Sequence, residues 1–116
     1  MRPNLADLAF GEPSKAIYVI EAGASVKIGV SNNPASRARA LQVGQDREVR
    51  VFWAVRLATK QATAIEAALH KRMRSANTHM RGEWYVISPQ EARAVIEREI
   101  AKRGVKSQVD LEFGIR

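Results

Sequence analysis

The sequence predicts one small α+β domain: a mostly antiparallel sheet of three or four strands, flanked by about three helices. Its 116 residues leave room for a single domain, and 46% hydrophobic with 27% charged residues is a globular composition. Segments with a period of two alternate with segments at helical spacing, in the order β-β-α-β-α-β-α. We expect an N-terminal arm over residues 1–14, the folded domain over residues 15–104 and a C-terminal tail over residues 105–116.

Two short strands open the domain. Residues 15–21 and 25–30 are rich in β-branched and aromatic side chains, and the Ala22-Gly23 pair between them suits a tight turn. With these two residues as the loop, one face pairs Ile17 with Ile28 and Val19 with Val26, and the other pairs Tyr18 with Lys27.

A helix and a third strand follow. Asn33 before Pro34 is a capping residue before a first-turn proline, and Gly44 is a natural stop, which predicts a helix over Pro34–Val43. Apolar residues then recur at every second position from Val49 to Leu57, which predicts a strand.

The last third of the chain predicts a long helix, a short strand and a final helix. Thr59 is positioned to cap the long helix, which ends before Asn77. Its apolar stripe comprises Ala62, Ile65, Leu69 and Met73. Glu83–Ile87 is the fourth strand, and Ser88, Pro89 and Glu91 cap a helix that stops at Gly104.

Charge and cysteine content limit the possible partners and compartment. The 19 Lys+Arg and 12 Asp+Glu give a net charge of +7, which indicates a polyanionic partner such as DNA, RNA or an acidic membrane surface. The absence of cysteine excludes a disulfide scaffold, a Cys-ligated zinc and a thiol nucleophile. The first twenty residues do not resemble a signal peptide, and the apolar runs are too short to span a bilayer. We therefore expect a cytoplasmic protein with no membrane partner. The sequence leaves the oligomeric state open.

Five residues form a candidate chemical site. Tyr18 and Lys27 share a sheet face, Arg37 starts near the buried edge of its helix, and Glu66 and His70 lie four residues apart beside an apolar stripe. Cleavage of a phosphodiester needs a group that activates the nucleophile, a cation for the developing charge and a carboxylate for a divalent metal. These residue types supply all three. The alternative for Glu66 and His70 is a solvated helix pair.

The order of short motifs resembles one nuclease family. The first two strings are Ala16-Ile17-Tyr18 and Lys27-Ile28-Gly29, and Arg37 follows. The later strings are Ile65-Glu66, Leu69-His70 and Gly82-Glu83-Trp84. Over about residues 15–100 this combination resembles the GIY-YIG nuclease superfamily, and is most similar to the phage- and plasmid-associated branch with a KIG-type second motif. The resemblance implies a metal-dependent DNA endonuclease with a single active site.

The resemblance also implies roles for the five residues. Tyr18 would help to deprotonate or position the attacking water, and Arg37 would stabilise the transition state. Glu66 would bind one Mg²⁺ or Mn²⁺ ion, and His70 would orient water or contact phosphate. Lys27 stands where the second motif of the family has tyrosine, a position at which the family also contains lysine, and Ala16 stands where the first motif has glycine. Lys27 has two interpretations: a cation that lowers the Tyr18 pKa, or a phosphate contact.

Two other functions stay open at this point. A catalytically silent DNA-binding module of the same fold would use basic residues, with Arg39, Arg50, Lys71 and Arg74 as the first candidates. A wider basic surface would add Arg47, Arg56, Arg72 and Arg81, with Trp53 or Trp84 available for stacking on bases. The third interpretation is a different metal site made by Glu66, His70 and His79.

Overall fold

The computed structural model describes residues 13–75, 84–105 and 109–111. The strands are β1 (Ser14–Ala22), β2 (Ser25–Ser31), β3 (Val49–Ala58), β4 (Trp84–Tyr85) and β5 (Val109–Leu111). The helices are α1 (Pro34–Gln42), α2 (Thr59–Ser75) and α3 (Pro89–Lys102). The predicted α+β class and the order β-β-α-β-α-β-α are confirmed. The predictions for Asn77, His79, Arg81 and residues 82–83 lie outside the described residues.

All strand pairs of the sheet are antiparallel, in the order β4-β2-β1-β3-β5. The central strand β1 is covered on both edges, by β2 and β3. The edge strand β5 was not predicted, because it lies in the segment assigned to a tail. Three residues are too few to display a period of two, and β5 exists only through its pairing with residues 54–56 of β3.

The register of the first hairpin differs from the prediction. The turn lies at Gly23 and Ala24, one position later than expected, and Gly23 takes the positive φ of 60° that suits glycine. Tyr18 is therefore opposite Gly29, and Lys27 is opposite Ile20. Because this register differs from the predicted one by two residues, every side chain stays on its predicted face.

The helices cover both faces of the sheet. On one face, α2 and α3 bury the predicted apolar stripe against β1, β2 and β3. On the other face, α1 packs through Ala38 and Leu41 against Tyr18, Ile20 and their neighbours. Among the described residues, no helix is both long enough and apolar enough to cross a membrane.

The predicted caps begin two of the helices. The Asn33 side chain accepts a hydrogen bond from the Ser36 N–H at 3.1 Å at the start of α1. Ser88 accepts one from the Glu91 N–H at 3.0 Å at the start of α3. The predicted fourth strand covers Glu83–Ile87, and the observed strand β4 is Trp84–Tyr85. It ends earlier than predicted because the chain bends at Val86 and Ile87, immediately before the Ser88 cap.

Candidate active site

A cleft of about 510 Å³ opens beside β2. The short β4 pairs only with Val26 and Lys27, so the following residues of β2 form the cleft wall. The lining residues are Tyr18, Lys27, Ile28, Gly29, Val30, Arg37, Glu66, Ala67, His70 and Arg74. All five residues of the candidate chemical site therefore line one cleft.

Four elements contribute the polar side chains of this cleft. Tyr18 and Lys27 come from β1 and β2, on the sheet face that α1 covers, and Arg37 comes from the first turns of α1. Glu66 and His70 come from α2, whose apolar stripe packs on the opposite face. The cleft therefore brings together groups from both layers of helices beside the edge of the sheet.

Tyr18 is buried at the inner end of this arrangement. Its side chain is 3% exposed, and Arg37 donates a hydrogen bond to its hydroxyl. Burial raises the Tyr18 pKa above its ordinary value of 10.0, the Arg37 hydrogen bond and charge oppose this rise, and the Glu66 charge adds to it. The hydroxyl is therefore protonated at neutral pH. Arg37 is the cation that opposes the rise, and the net pKa shift is upward, so a further lowering of this pKa by Lys27 stays a hypothesis.

Lys27 borders the cleft from the side of β4. Its Nζ lies 5.7 Å from the centroid of the Trp84 ring, a cation–π contact. Trp84 is half-buried, and Trp53 is buried with the Arg93 guanidinium 4.8 Å from its ring centroid. Trp53 is thus not available to stack on bases.

His70 is held between two groups. Its Nδ1 shares a hydrogen bond with the Tyr85 hydroxyl, and its Nε2 lies 3.7 Å from Oε2 of Glu66. The His70 side chain is 12% exposed and that of Glu66 is 32% exposed, which contradicts the interpretation as a solvated pair. Sequence reasoning missed Tyr85. The available signal was the predicted fourth strand, in which Trp84 and Tyr85 must face opposite sides.

The donor set suits one kind of metal ion. Glu66 supplies a hard carboxylate oxygen in an open cleft, and Mg²⁺ is commonly bound by one or two carboxylates together with waters and phosphate oxygens. Across the described part of the chain, no three His, Cys, Asp or Glu residues cluster as metal ligands. Glu66, as a carboxylate lining an open cleft, fits an ion that completes its coordination with waters and phosphate oxygens. The alternative site with His79 lies outside the described residues.

The candidate DNA-binding residues are not all near the cleft. Arg74 lines it, whereas Arg39 and Lys71 are exposed on α1 and α2 without lining it. The Nε of Arg50 lies 3.0 Å from Oε2 of Glu21, outside the cleft lining. Only Arg74 of these four is therefore placed next to the five site residues.

Two arginines of the wider basic surface have structural partners. Arg56 donates hydrogen bonds to the carbonyl of Asn32 at 2.7 Å and to Ser14, which joins β3 to the start of β1 and to the loop before α1. Arg72 pairs with the buried Glu99. Both guanidinium groups are therefore engaged within the protein, whereas the basic-surface hypothesis assigned them to DNA phosphate.

Comparison with known proteins identifies a family. Residues 15–100 match the T5orf172 domain. Neither the curated proteins nor the solved structures contain a significant match to the chain. The match covers most of the 116 residues and nearly the whole predicted domain. The chain belongs to the T5orf172 domain family, a phage-associated domain related to nucleases.

Proposed function

We propose that this protein is a metal-dependent DNA endonuclease of the GIY-YIG type, which hydrolyses phosphodiester bonds at a single site in the cleft. The observation that carries the proposal is the convergence of Tyr18, Lys27, Arg37, Glu66 and His70 on one cleft. Membership of the T5orf172 family supports a nuclease or DNA-binding domain in general. The net charge of +7 favours a polyanionic substrate.

The cations of the cleft bind and stabilise the phosphate. Lys27, Arg37 and Arg74 line it, and the planar guanidinium of Arg37 suits the oxygens of a phosphate whose charge increases in the transition state. Because Arg37 also bonds Tyr18, binding of phosphate by Arg37 places that phosphate near the tyrosine hydroxyl.

Tyr18 positions the attacking water, because its raised pKa keeps it protonated. The water oxygen forms a bond to phosphorus and gives up a proton to bulk solvent, one phosphorus–oxygen ester bond breaks, and the departing oxygen takes up a proton from solvent. Glu66 would hold the Mg²⁺ or Mn²⁺ ion, and that ion supplies Lewis-acid stabilisation of the phosphate charge. His70 orients water or contacts the phosphate from the α2 side.

The test is cleavage of supercoiled plasmid by the wild type and by Glu66→Gln, with Mg²⁺, Mn²⁺ or EDTA. Glu97→Gln is the matched control, because it makes the same chemical change in an exposed ion pair with Arg93 on α3. We expect nicking by the wild type and by Glu97→Gln with either metal, no nicking in EDTA, and none by Glu66→Gln. Equal cleavage by Glu66→Gln, in a preparation free of contaminating nuclease, contradicts the proposal.

The second candidate is a catalytically silent DNA-binding module with the same fold. The residue that would account for it is Lys27, since the second motif has tyrosine here in the wider superfamily and lysine in the KIG-type branch. This module would bind DNA through Lys27, Arg37 and Arg74 and would be indifferent to divalent metal and to Glu66. The absence of cleavage by the wild type, together with DNA binding that weakens steeply with salt, would identify it.

A further inference from the structure

We infer that Tyr85 is the positioning residue of the cleft: its hydroxyl fixes the His70 ring so that Nε2, carrying the proton, faces Glu66. The consequence for cleavage rests on the proposed function, whereas the state of the His70 ring does not. Tyr85 is completely buried and does not line the cleft, so it acts through His70 and not on a substrate.

The contacts of His70 with Glu66 and Tyr85 favour one tautomer of its ring. An ionised carboxylate accepts hydrogen bonds and cannot donate them, so Glu66, with Oε2 at 3.7 Å, favours a proton on Nε2. A neutral imidazole then has a bare Nδ1, which accepts a hydrogen bond from the Tyr85 hydroxyl. Of the two tautomers of the neutral ring, this one satisfies both contacts.

The backbone explains why Tyr85 can hold the ring in place. Tyr85 pairs with Val26 in the sheet, and its ring centroid is 5.6 Å from that of His70, with 28° between the ring planes. The hydroxyl is therefore carried by a residue that is paired into the sheet, and the imidazole by α2. The short strand β4 thus has a specific role, since it delivers the group that orients His70.

The arrangement predicts how His70 acts. With Nε2 protonated and directed toward Glu66 and the cleft, His70 offers a hydrogen-bond donor to a carboxylate, a water or a phosphate oxygen. It does not offer a free nitrogen that would remove a proton from water. Removing a hydrogen-bond partner that orients a side chain in a metal site typically lowers metal affinity or activity roughly 10- to 100-fold. Because Tyr85 acts one step further away, through His70 on the side of Glu66, we expect a loss at the lower end of this range without Tyr85.

The experiment compares the wild type with Tyr85→Phe, which keeps the buried ring and removes only the hydroxyl. ¹⁵N NMR of labelled histidine at mildly alkaline pH reads the state of His70 directly. The chain has 2 histidines, so a His79→Gln variant assigns the signals. Ser88→Ala is the matched control, because it removes the N-cap of α3 and so lowers stability without touching the cleft.

We expect wild-type His70 to carry its proton on Nε2, and the Nδ1 resonance to move toward that of a nitrogen without a hydrogen bond in Tyr85→Phe. Plasmid cleavage by Tyr85→Phe should lose at least ~10-fold in kcat with KM unchanged, whereas Ser88→Ala should match the wild type in both.

A wild-type proton on Nδ1, or an Nδ1 resonance unaffected by Tyr85→Phe, overturns the assignment. A changed resonance with unchanged kcat overturns the role of Tyr85 in cleavage. If the wild type cuts no DNA but the resonance moves as expected, the endonuclease proposal fails while the assignment of Tyr85 to His70 is supported.

Discussion

The Tyr18 ring lies directly over Gly29, its partner residue on the adjacent strand. A Cβ atom added to Gly29 would come within 2.6 Å of the Tyr18 Cζ, which is closer than real Cβ contacts. Gly29 is a strand residue without positive φ, so the space above it and not its backbone conformation requires glycine. The tyrosine of the first motif and the glycine of the second are therefore one structural unit: the missing side chain makes room for the ring that borders the cleft.

Gly29→Ala should displace Tyr18 and lower both stability and activity. We expect a loss of about 1–3 kcal/mol in the free energy of unfolding, because the added methyl overpacks a buried site. Cleavage should fall at least ~10-fold, since Tyr18 would no longer meet Arg37. Denaturant unfolding and plasmid nicking check these values.

Gly104→Ala is the control for this prediction. It makes the same change at a positive φ of 67° with no heavy atom within 4 Å of the added Cβ. It should cost about 1 kcal/mol through backbone strain and leave cleavage unchanged. Full activity in Gly29→Ala would show that the Tyr18 ring does not need its present position.

The pKa of Tyr18 should respond to its two charged neighbours in opposite directions. Glu66→Gln removes a negative charge that raises the pKa, so the pKa should fall, whereas Arg37→Gln should raise it. The difference in ultraviolet absorbance between each protein and its Tyr18→Phe version, followed through alkaline pH, isolates this group. A wild-type midpoint below 10.0 would contradict burial as the dominant cause.

The same shift predicts how stability depends on alkaline pH. Because the folded protein holds the Tyr18 proton more tightly than the unfolded chain, this contribution is complete below the ordinary value of 10.0 and is lost as pH rises through the higher folded pKa. The stability of the wild type relative to Tyr18→Phe should therefore decline as the pH rises above 10.0. A relative stability that increases there would contradict the upward shift.

DNA binding should depend on Arg74 more than on Arg50. Arg74 lines the cleft, while Arg50 pairs with Glu21 outside its lining. Arg74→Ala should weaken binding and reduce the slope of log K against log salt by about 0.9, the value for one lost phosphate contact on duplex DNA. Arg50→Ala should change the slope little. Titrations of a DNA duplex in EDTA at several salt concentrations measure both, and a larger loss from Arg50→Ala would place the binding surface elsewhere.

Glu99 should stabilise the fold without affecting the cleft. It is 4% exposed, pairs with Arg72, and accepts a hydrogen bond from Arg103 Nε at 2.8 Å. The Arg72 hydrogen bond, followed by that of Arg103, holds its pKa below the usual value of 4.5. Glu99→Gln should lower the free energy of unfolding at neutral pH by about 2 kcal/mol.

Acid should reduce the difference in the free energy of unfolding between the wild type and Glu99→Gln. The lowered pKa means that the Glu99 contribution is present above the ordinary glutamate range and is lost as pH falls through the folded pKa. Urea unfolding of the wild type and Glu99→Gln at neutral and acid pH measures it, with Glu97→Gln as the exposed control that changes stability by less than about 0.5 kcal/mol. A gap that widens on acidification would contradict the assigned shift.

Local signals in the sequence determined the elements and much of the candidate site. Period two, period 3.6 and the caps at Asn33 and Ser88 are properties of neighbouring residues, so the order of strands and helices was predictable. Spacing placed Tyr18 and Lys27 on one sheet face, and Glu66 and His70 on one side of a helix. Motif order added Arg37 to the same set.

Tertiary structure alone decided the contacts between distant segments. The hairpin register depends on where the turn closes, and a shift of two residues leaves the hydrophobic pattern unchanged, so the sequence could not distinguish Gly29 from Lys27 as the partner of Tyr18. The strand β5 is defined by its pairing with β3, and the Arg37 bond to Tyr18 by how α1 packs on the sheet. Tyr85 meets His70 only because β4 joins the sheet beside β2. Periodicity records which face a residue occupies, whereas partners across the fold depend on how those faces are brought together.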